Sequence, residues 1–162
     1  MPRRRALKWR SFRPYRGVRR VPEFRLSEHP IDIAALRDAL DDVRAGAFAS
    51  FEGRVRDHND GRAVLGLNYS AYRRLAEAEG ARILAQAQQK FDIHGAVCVH
   101  RIGELALGEV AVWVGVSAGH RGPAFEACRW IIDEVKARVP IWKNEGYADG
   151  EPRWLHPDPG SR

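Results

Sequence analysis

Residues 109–147, "EVAVWVGVSAGHRGPAFEACRWIIDEVKARVPIWKNEGY", decide the fold, because three elements of different period follow one another there. Val110, Val112, Val114 and Val116 alternate with Ala111, Trp113 and Gly115, so both faces are largely apolar and the segment predicts a strand covered on both sides. From about residue 122 to 138 the period becomes helical, with Pro123 in the first turn and Phe125, Cys128, Ile132, Val135 and Val139 as the expected buried stripe. Pro140 lacks an N–H and stops the helix. "PIWKNEGY", the turn "ADGE" and "PRWLHP" then predict a last short hairpin.

Outward from that segment, "DIAALRDALDDVRAG" places Ile33, Leu36, Leu40 and Val43 at helical spacing, with Asp32 as N-cap and Gly46 past the end. "AFASFEGRVR" predicts a strand, "DHNDG" a polar turn with an Asp-Gly pair, and "RAVLGLNY" a returning strand, so these two strands are expected to form a hairpin. Residues 71–91 make the longest helical candidate, with Tyr72, Ala76, Ile83, Ala87 and Phe91 on one stripe. "HGAVCVHRIG" is a further strand before the loop "ELALG". Two or three helices against a mostly antiparallel sheet give the class α+β.

The 162 residues suit one domain, or one domain with a small appendage. The net charge of +6 is unevenly placed: residues 1–20 hold nine Lys and Arg and no acid, leaving 18 basic against 21 acidic groups, a net of −3, for the rest. A nucleic-acid-binding domain carries its excess cations on the fold, and this one does not. The expected organisation is a basic, disordered arm over residues 1–22, a folded unit over 23–157 and a loose tail over 158–162. The arm has no apolar core of the secretory kind, and no run of 18 apolar residues offers a membrane span. Cys98 and Cys128 both lie in apolar periodic segments, where buried free thiols are expected.

The candidate site residues are mostly cations. His120 and Arg121 stand where the helix begins, and unpaired N–H groups there favour anions. Lys136 follows Ile132 by four residues and Cys128 by eight, so it borders the buried stripe. Lys143 follows Trp142 on a strand, so the two point to opposite faces. Arg54 and Arg56 share a strand face near His58 and Asn59. His100 and Arg101 are open between a site and a solvated surface. His94, Cys98 and His100 share a face, yet their spacing matches no standard zinc site, and no metal or cofactor is expected. Walker, dinucleotide-fingerprint, H-E-x-x-H and nucleophile-elbow patterns are absent.

Four segments, "FEGRVRDHNDGRAVLGLNYSAY", "HRIGELALGE", "VGVSAGHRGPAFEACRWIIDEVKARVPIWKNE" and "DGEPRW", resemble the large catalytic subunit family of molybdopterin synthase over roughly residues 24–155. The resemblance implies an α/β-hammerhead type of fold with a small extra β subdomain. It implies a sulfurtransferase that converts cyclic pyranopterin monophosphate to molybdopterin. The sulfur would come from the C-terminal Gly-Gly thiocarboxylate of a small ubiquitin-like subunit. Large subunits would pair as a homodimer within a cytoplasmic heterotetramer. By the same resemblance, Lys136 and Lys143 are the catalytic pair, and Arg54, Val55, Arg56, His120, Arg121, Asn144 and Glu145 complete the substrate pocket. Three positions depart from the family's usual pattern: Arg54 stands for a lysine, Asn144 for a basic residue and Ser70 for an acid. The rival readings are a phosphoester-cleaving enzyme of unrelated class, for which the sequence offers no ordered set of carboxylates to hold a metal, a non-catalytic scaffold for the ubiquitin-like protein, and an RNA-binding module resting on the basic arm.

Overall fold

The computed structural model describes residues 22–148, Gly150 and the backbone of Arg153–Leu155. All of the expected basic arm but Pro22, and the tail at 158–162, lie outside the described residues. In chain order come β1 (Glu23–Ser27), α1 (Ile33–Ala39), β2 (Ala47–Arg54), β3 (His58–Asn59), β4 (Arg62–Ala71) and α2 (Arg73–Lys90). They are followed by β5 (Ile93–Arg101), β6 (Gly103–Leu105), β7 (Val110–Ala118), α3 (Arg121–Arg138), β8 (Ile141–Tyr147) and β9 (Arg153–Leu155).

The larger layer is a sheet of order β1-β5-β7-β2, antiparallel except for the β1–β5 pair. Its two central strands are the ones whose sequence is apolar on both faces. On one face Ala96, Cys98, Val112, Val114 and Val116 pack against α2 and α3 through Ile83, Leu84, Ala127, Cys128 and Ile131. On the other, Val97, Val99 and Trp113 meet Leu36 and Leu40 of α1. Gly80 brings α2 against β1: a Cβ there would sit 2.1 Å from Cγ of Phe24. The class is α+β, as the element pattern predicts.

Three local expectations need correction. Helix α1 is capped by Asp32, which accepts from the Ala35 N–H at 3.0 Å, but it ends at Leu40, and Val43 is exposed. Asp42 explains the early stop, because its carboxylate accepts from the Arg44 N–H at 2.9 Å and offers the backbone a turn in place of the helix. In α3 the buried residues are Ala124, Ala127, Cys128, Ile131, Ile132 and Val135, while Phe125 is exposed. The alanines present the narrow side on which the helix approaches the sheet.

The third correction concerns topology. Strands β2 and β4 do not form a hairpin; β2 pairs with β7, and β4 pairs with β3, β6 and β8 in a second sheet of five mostly shorter strands, of order β3-β4-β8-β9 with β6 also on β4. The Asp60–Gly61 turn does exist, with φ of 48° and 77°, as a two-residue hairpin turn of the type I′ sense demands. Its first strand is only the two residues of β3. A register shift between Gly53 and Arg54 marks where the chain leaves the large sheet. The β8–β9 hairpin forms as expected. Among the described residues no helix is long and apolar enough to cross a membrane.

Candidate functional site

Where β2 leaves the large sheet, a cavity of about 410 Å³ opens between the two sheets and the last turns of α3. Each wall follows from a local rule. Strand β2 brings Arg54, with Arg56 beyond its end; α3 brings Ile132, Val135 and Lys136 one helical turn apart; β8 brings Lys143 and Glu145 on one face by its period of two. Ile132, Val135, Val139 and Ile141 form an apolar floor under the charged groups.

The four cations are not equivalent. Arg54 is held by Glu52 on its own strand, Nη2 to Oε2, at 2.7 Å. Among the described residues Arg56 reaches only the neutral Asn59 side chain, at 3.5 Å. Lys143 donates to Glu145 Oε1 at 2.8 Å. The Lys136 side chain is exposed, and among the described residues its ammonium has no hydrogen bond or ion pair.

Glu145 is the one carboxylate among the described lining residues, and it is 3% exposed. Its second oxygen accepts from Asn59 Nδ2 at 2.9 Å and from the Tyr147 hydroxyl. Burial pushes its pKa up, but the hydrogen bonds from Lys143, Tyr147 and Asn59 outweigh burial, and the group lies below its ordinary value. It is therefore an ionised anchor for Lys143 with its acceptor positions occupied.

Two neutral polar groups complete the lining. His100 is 9% exposed and donates from Nδ1 to the Arg101 carbonyl at 2.7 Å, which leaves Nε2 as an acceptor. Burial, with the charge of Lys136 assisting, lowers its pKa to about 4, so the ring is uncharged. Tyr69 packs edge-on to it, with centroids 5.0 Å apart. Burial, with the negative charge of Glu145 assisting, raises the phenol to about 12.

The cavity therefore brings together Arg54, Arg56, Lys136, Lys143 and Glu145 of the expected site. Val55 lies outside it: the side chain is buried with Leu105 and Ala111, and its backbone N–H donates to the Glu109 carbonyl. Asn144 points to the other face of β8, as a one-residue step requires, and its Oδ1 is buried with no partner among the described residues. His120 is the N-cap residue of α3 and Arg121 its first residue, fifteen residues from Lys136 or roughly 22 Å along a helix. Within one chain these two do not reach the cavity.

Sequence reasoning left His100 and Arg101 undecided. The structure separates them: His100 lines the cavity, while Arg101 is buried against Glu109 at 3.1 Å and the Glu104 carbonyl at 3.4 Å. Tyr69 was not singled out. Its signal was the two-residue step from Leu67, which shares its wall, but nothing local distinguishes that face of β4 from the other. Trp142 is half-buried and edge-on to the exposed Tyr72, at 5.3 Å, instead of lying in the main core.

A family model described as the MoaE protein matches residues 26–138, well over half the chain. A protein named molybdopterin synthase catalytic subunit from Oryza sativa subsp. indica is 48% identical over 75% of this chain and 63% of its own length. The chain thus spans less than two thirds of that relative. One of the same name from Pyrococcus abyssi is 50% identical over 70% of this chain and 76% of its own length. The crystal structure of molybdopterin synthase from Staphylococcus aureus superposes with a TM-score of 0.75 at 33% identity, covering 84% of this chain and 97% of that one. The matched segment holds α3, Lys136 and both arginines of the cavity, so sequence and architecture agree that this chain belongs to the MoaE protein family.

Proposed function

We propose that this chain is the catalytic subunit of a molybdopterin synthase, a sulfurtransferase that converts cyclic pyranopterin monophosphate to molybdopterin. The observation that carries it is the convergence of Lys136 from α3 and Lys143 from β8, with Arg54 and Arg56, on one cavity whose single carboxylate among the described residues already has its donors. Such a cavity suits anions, and both reactants are anionic: a cyclic phosphate, and the thiocarboxylate at the Gly-Gly end of a small ubiquitin-like subunit.

The thiocarboxylate sulfur attacks a carbon of the pterin side chain as that carbon's bond to oxygen breaks; the oxygen leaves either with the phosphate, opening the ring to a phosphate monoester, or, once protonated, as water. Water then cleaves the acyl–sulfur bond, which leaves sulfur on the pterin and a carboxylate on the tail. Two sulfurs require two loaded small subunits in turn, so their docking is reversible. Lys136, exposed and without a hydrogen-bond or ion-pair partner among the described residues, moves the proton or stabilises the acyl–sulfur adduct. Lys143, fixed by Glu145, supplies a preorganised charge for the incoming tail.

His120 and Arg121 join a phosphate site only across a pair of chains, from the second large subunit of a heterotetramer. Val55 and Asn144 support this pocket from behind, Val55 by packing and Asn144 from the opposite face of β8. The catalytic unit is assigned to residues 23–157. Two buried free thiols agree with a reducing cytoplasm.

The test mixes the purified chain with a thiocarboxylated small partner and the cyclic pterin phosphate. Dithiolene product forms without added metal or ATP, and Lys136→Ala and Lys143→Ala each sharply reduce it. Full turnover by Lys136→Ala defeats the proposal in favour of a scaffold that binds the ubiquitin-like protein without catalysis.

A further inference from the structure

The cations account for the anionic ends of the reactants, yet the cavity wall also carries polar atoms with no charge. Tyr69 and His100 line the same cavity, and among the described residues neither the Tyr69 hydroxyl nor His100 Nε2 has a hydrogen-bond partner. Both atoms keep some access to solvent, so neither is sealed in the core. His100 itself is 9% exposed, and its ring is fixed twice, by the 2.7 Å bond from Nδ1 to the Arg101 carbonyl and by the edge of Tyr69. A buried imidazole whose remaining lone pair opens on a cavity is costly unless something there donates to it.

We infer that Tyr69 and His100 are the specificity-determining pair of the cavity, reading the uncharged hydrogen-bonding edge of a heterocycle, with the phenol O–H as donor and His100 Nε2 as acceptor. The inference rests on the sulfur-transfer function proposed above, and it adds which residues tell a pterin from any other phosphate. Arg56 and Lys136 attract every small anion to the cavity; only a ring with a neighbouring donor and acceptor satisfies the pair as well. Both groups stay uncharged through the neutral range, so their preference does not change with pH there. Positioned neutral groups of this kind reject a ligand that leaves them unpaired.

The experiment measures equilibrium binding of the cyclic pterin phosphate and, separately, of inorganic phosphate to the full chain. Tyr69→Phe keeps the ring against His100 and removes one hydroxyl. It is expected to weaken the pterin ligand about fivefold to tenfold and to leave inorganic phosphate unchanged. His100→Leu acts in the same direction, and His100→Gln, which restores an acceptor, recovers part of the loss. If His100→Leu does not fold, Tyr69→Phe and His100→Gln decide the matter.

Unchanged pterin binding in Tyr69→Phe overturns the inference, and so does an equal loss for both ligands, which marks a role in cavity shape alone. The outcomes separate it from its parent. Wild-type protein that binds the pterin, discriminates through Tyr69 and yet yields no dithiolene defeats the sulfur-transfer function and leaves the pair standing. Wild-type protein that converts the pterin while Tyr69→Phe is indistinguishable from it defeats the pair alone.

Discussion

Replacing Glu145 by Gln preserves shape and removes the charge that anchors Lys143. The carboxylate is 3% exposed and accepts from Lys143 at 2.8 Å, from Asn59 at 2.9 Å and from Tyr147. Hydrogen bonds to a charged group contribute about 1.5–3 kcal/mol each, and breaking a fully buried ion pair costs about 3–5 kcal/mol. Lys143 is 28% exposed and can turn toward water, so the lower part of that range applies, about 2–3 kcal/mol. For a chain of this length that lowers the melting temperature by roughly 5–10 °C near neutral pH.

The effect depends on pH with a fixed sign. The carboxyl has a lower pKa folded than unfolded, so its stabilisation is complete above the ordinary value of 4.5 and is lost as pH falls through the folded value. The gap between wild type and Glu145→Gln should therefore be widest near neutrality and close progressively below about pH 4.5. Urea unfolding at several pH values measures it. Coincident midpoints at neutrality, or a gap that persists undiminished in acid, refute the reasoning.

Lys136→Ala removes an exposed, unpaired ammonium, so stability should change by no more than about 0.5 kcal/mol while turnover falls about a hundredfold or more, as melting curves and a dithiolene assay will show. Gly80→Ala gains about 1 kcal/mol of helix propensity but drives a Cβ to 2.1 Å from Phe24, an overpacking cost of about 1–3 kcal/mol, so thermal unfolding should show a net loss. The thiols of Cys98 and Cys128 are buried and pushed up by that burial, Cys128 to about 11, so iodoacetamide should label neither in the folded protein and both once it is unfolded. Removing residues 1–20 should leave turnover nearly unchanged; abolished function would favour a role for the basic arm in binding nucleic acid.

Periodicity made the central strands and α3 legible, because β7 is apolar at successive positions and Pro123 and Pro140 bracket the helix. It could not place Phe125, one residue from a buried alanine, since the side of a helix that meets a sheet depends on how closely the backbones approach. The β2–β4 pairing failed for a similar reason. An Asp-Gly turn between two apolar runs specifies a hairpin, but not how many residues of the first run take part. The register shift at Gly53 and Arg54, where the β2–β7 pairing ends, has no local signature beyond one glycine. Of the site, the residues carried by charge were visible from sequence, His100 was left open and Tyr69 was missed, because the pair's meaning comes from two strands in different sheets meeting at one cavity.

The proposed function requires one cavity to hold two anions, and the wiring of the four cations bears on that requirement. A thiocarboxylate and a phosphate about 6 Å apart repel by about 3 kcal/mol at an effective dielectric near 20, enough to weaken the second binding event about a hundredfold. A cation at a similar distance returns about as much. Arg54 is already neutralised by Glu52 and Lys143 by Glu145, so these two fix geometry more than they change net charge. Arg56 and Lys136 have no carboxylate among the described residues, which leaves two uncompensated charges for two anionic reactants. Losing either should therefore impair binding of the reactants together more than binding of one alone; losing Arg54 alone uncovers Glu52 and lowers the net charge by the same one unit, so only removing Arg54 and Glu52 together should leave the charge of the cavity as it was.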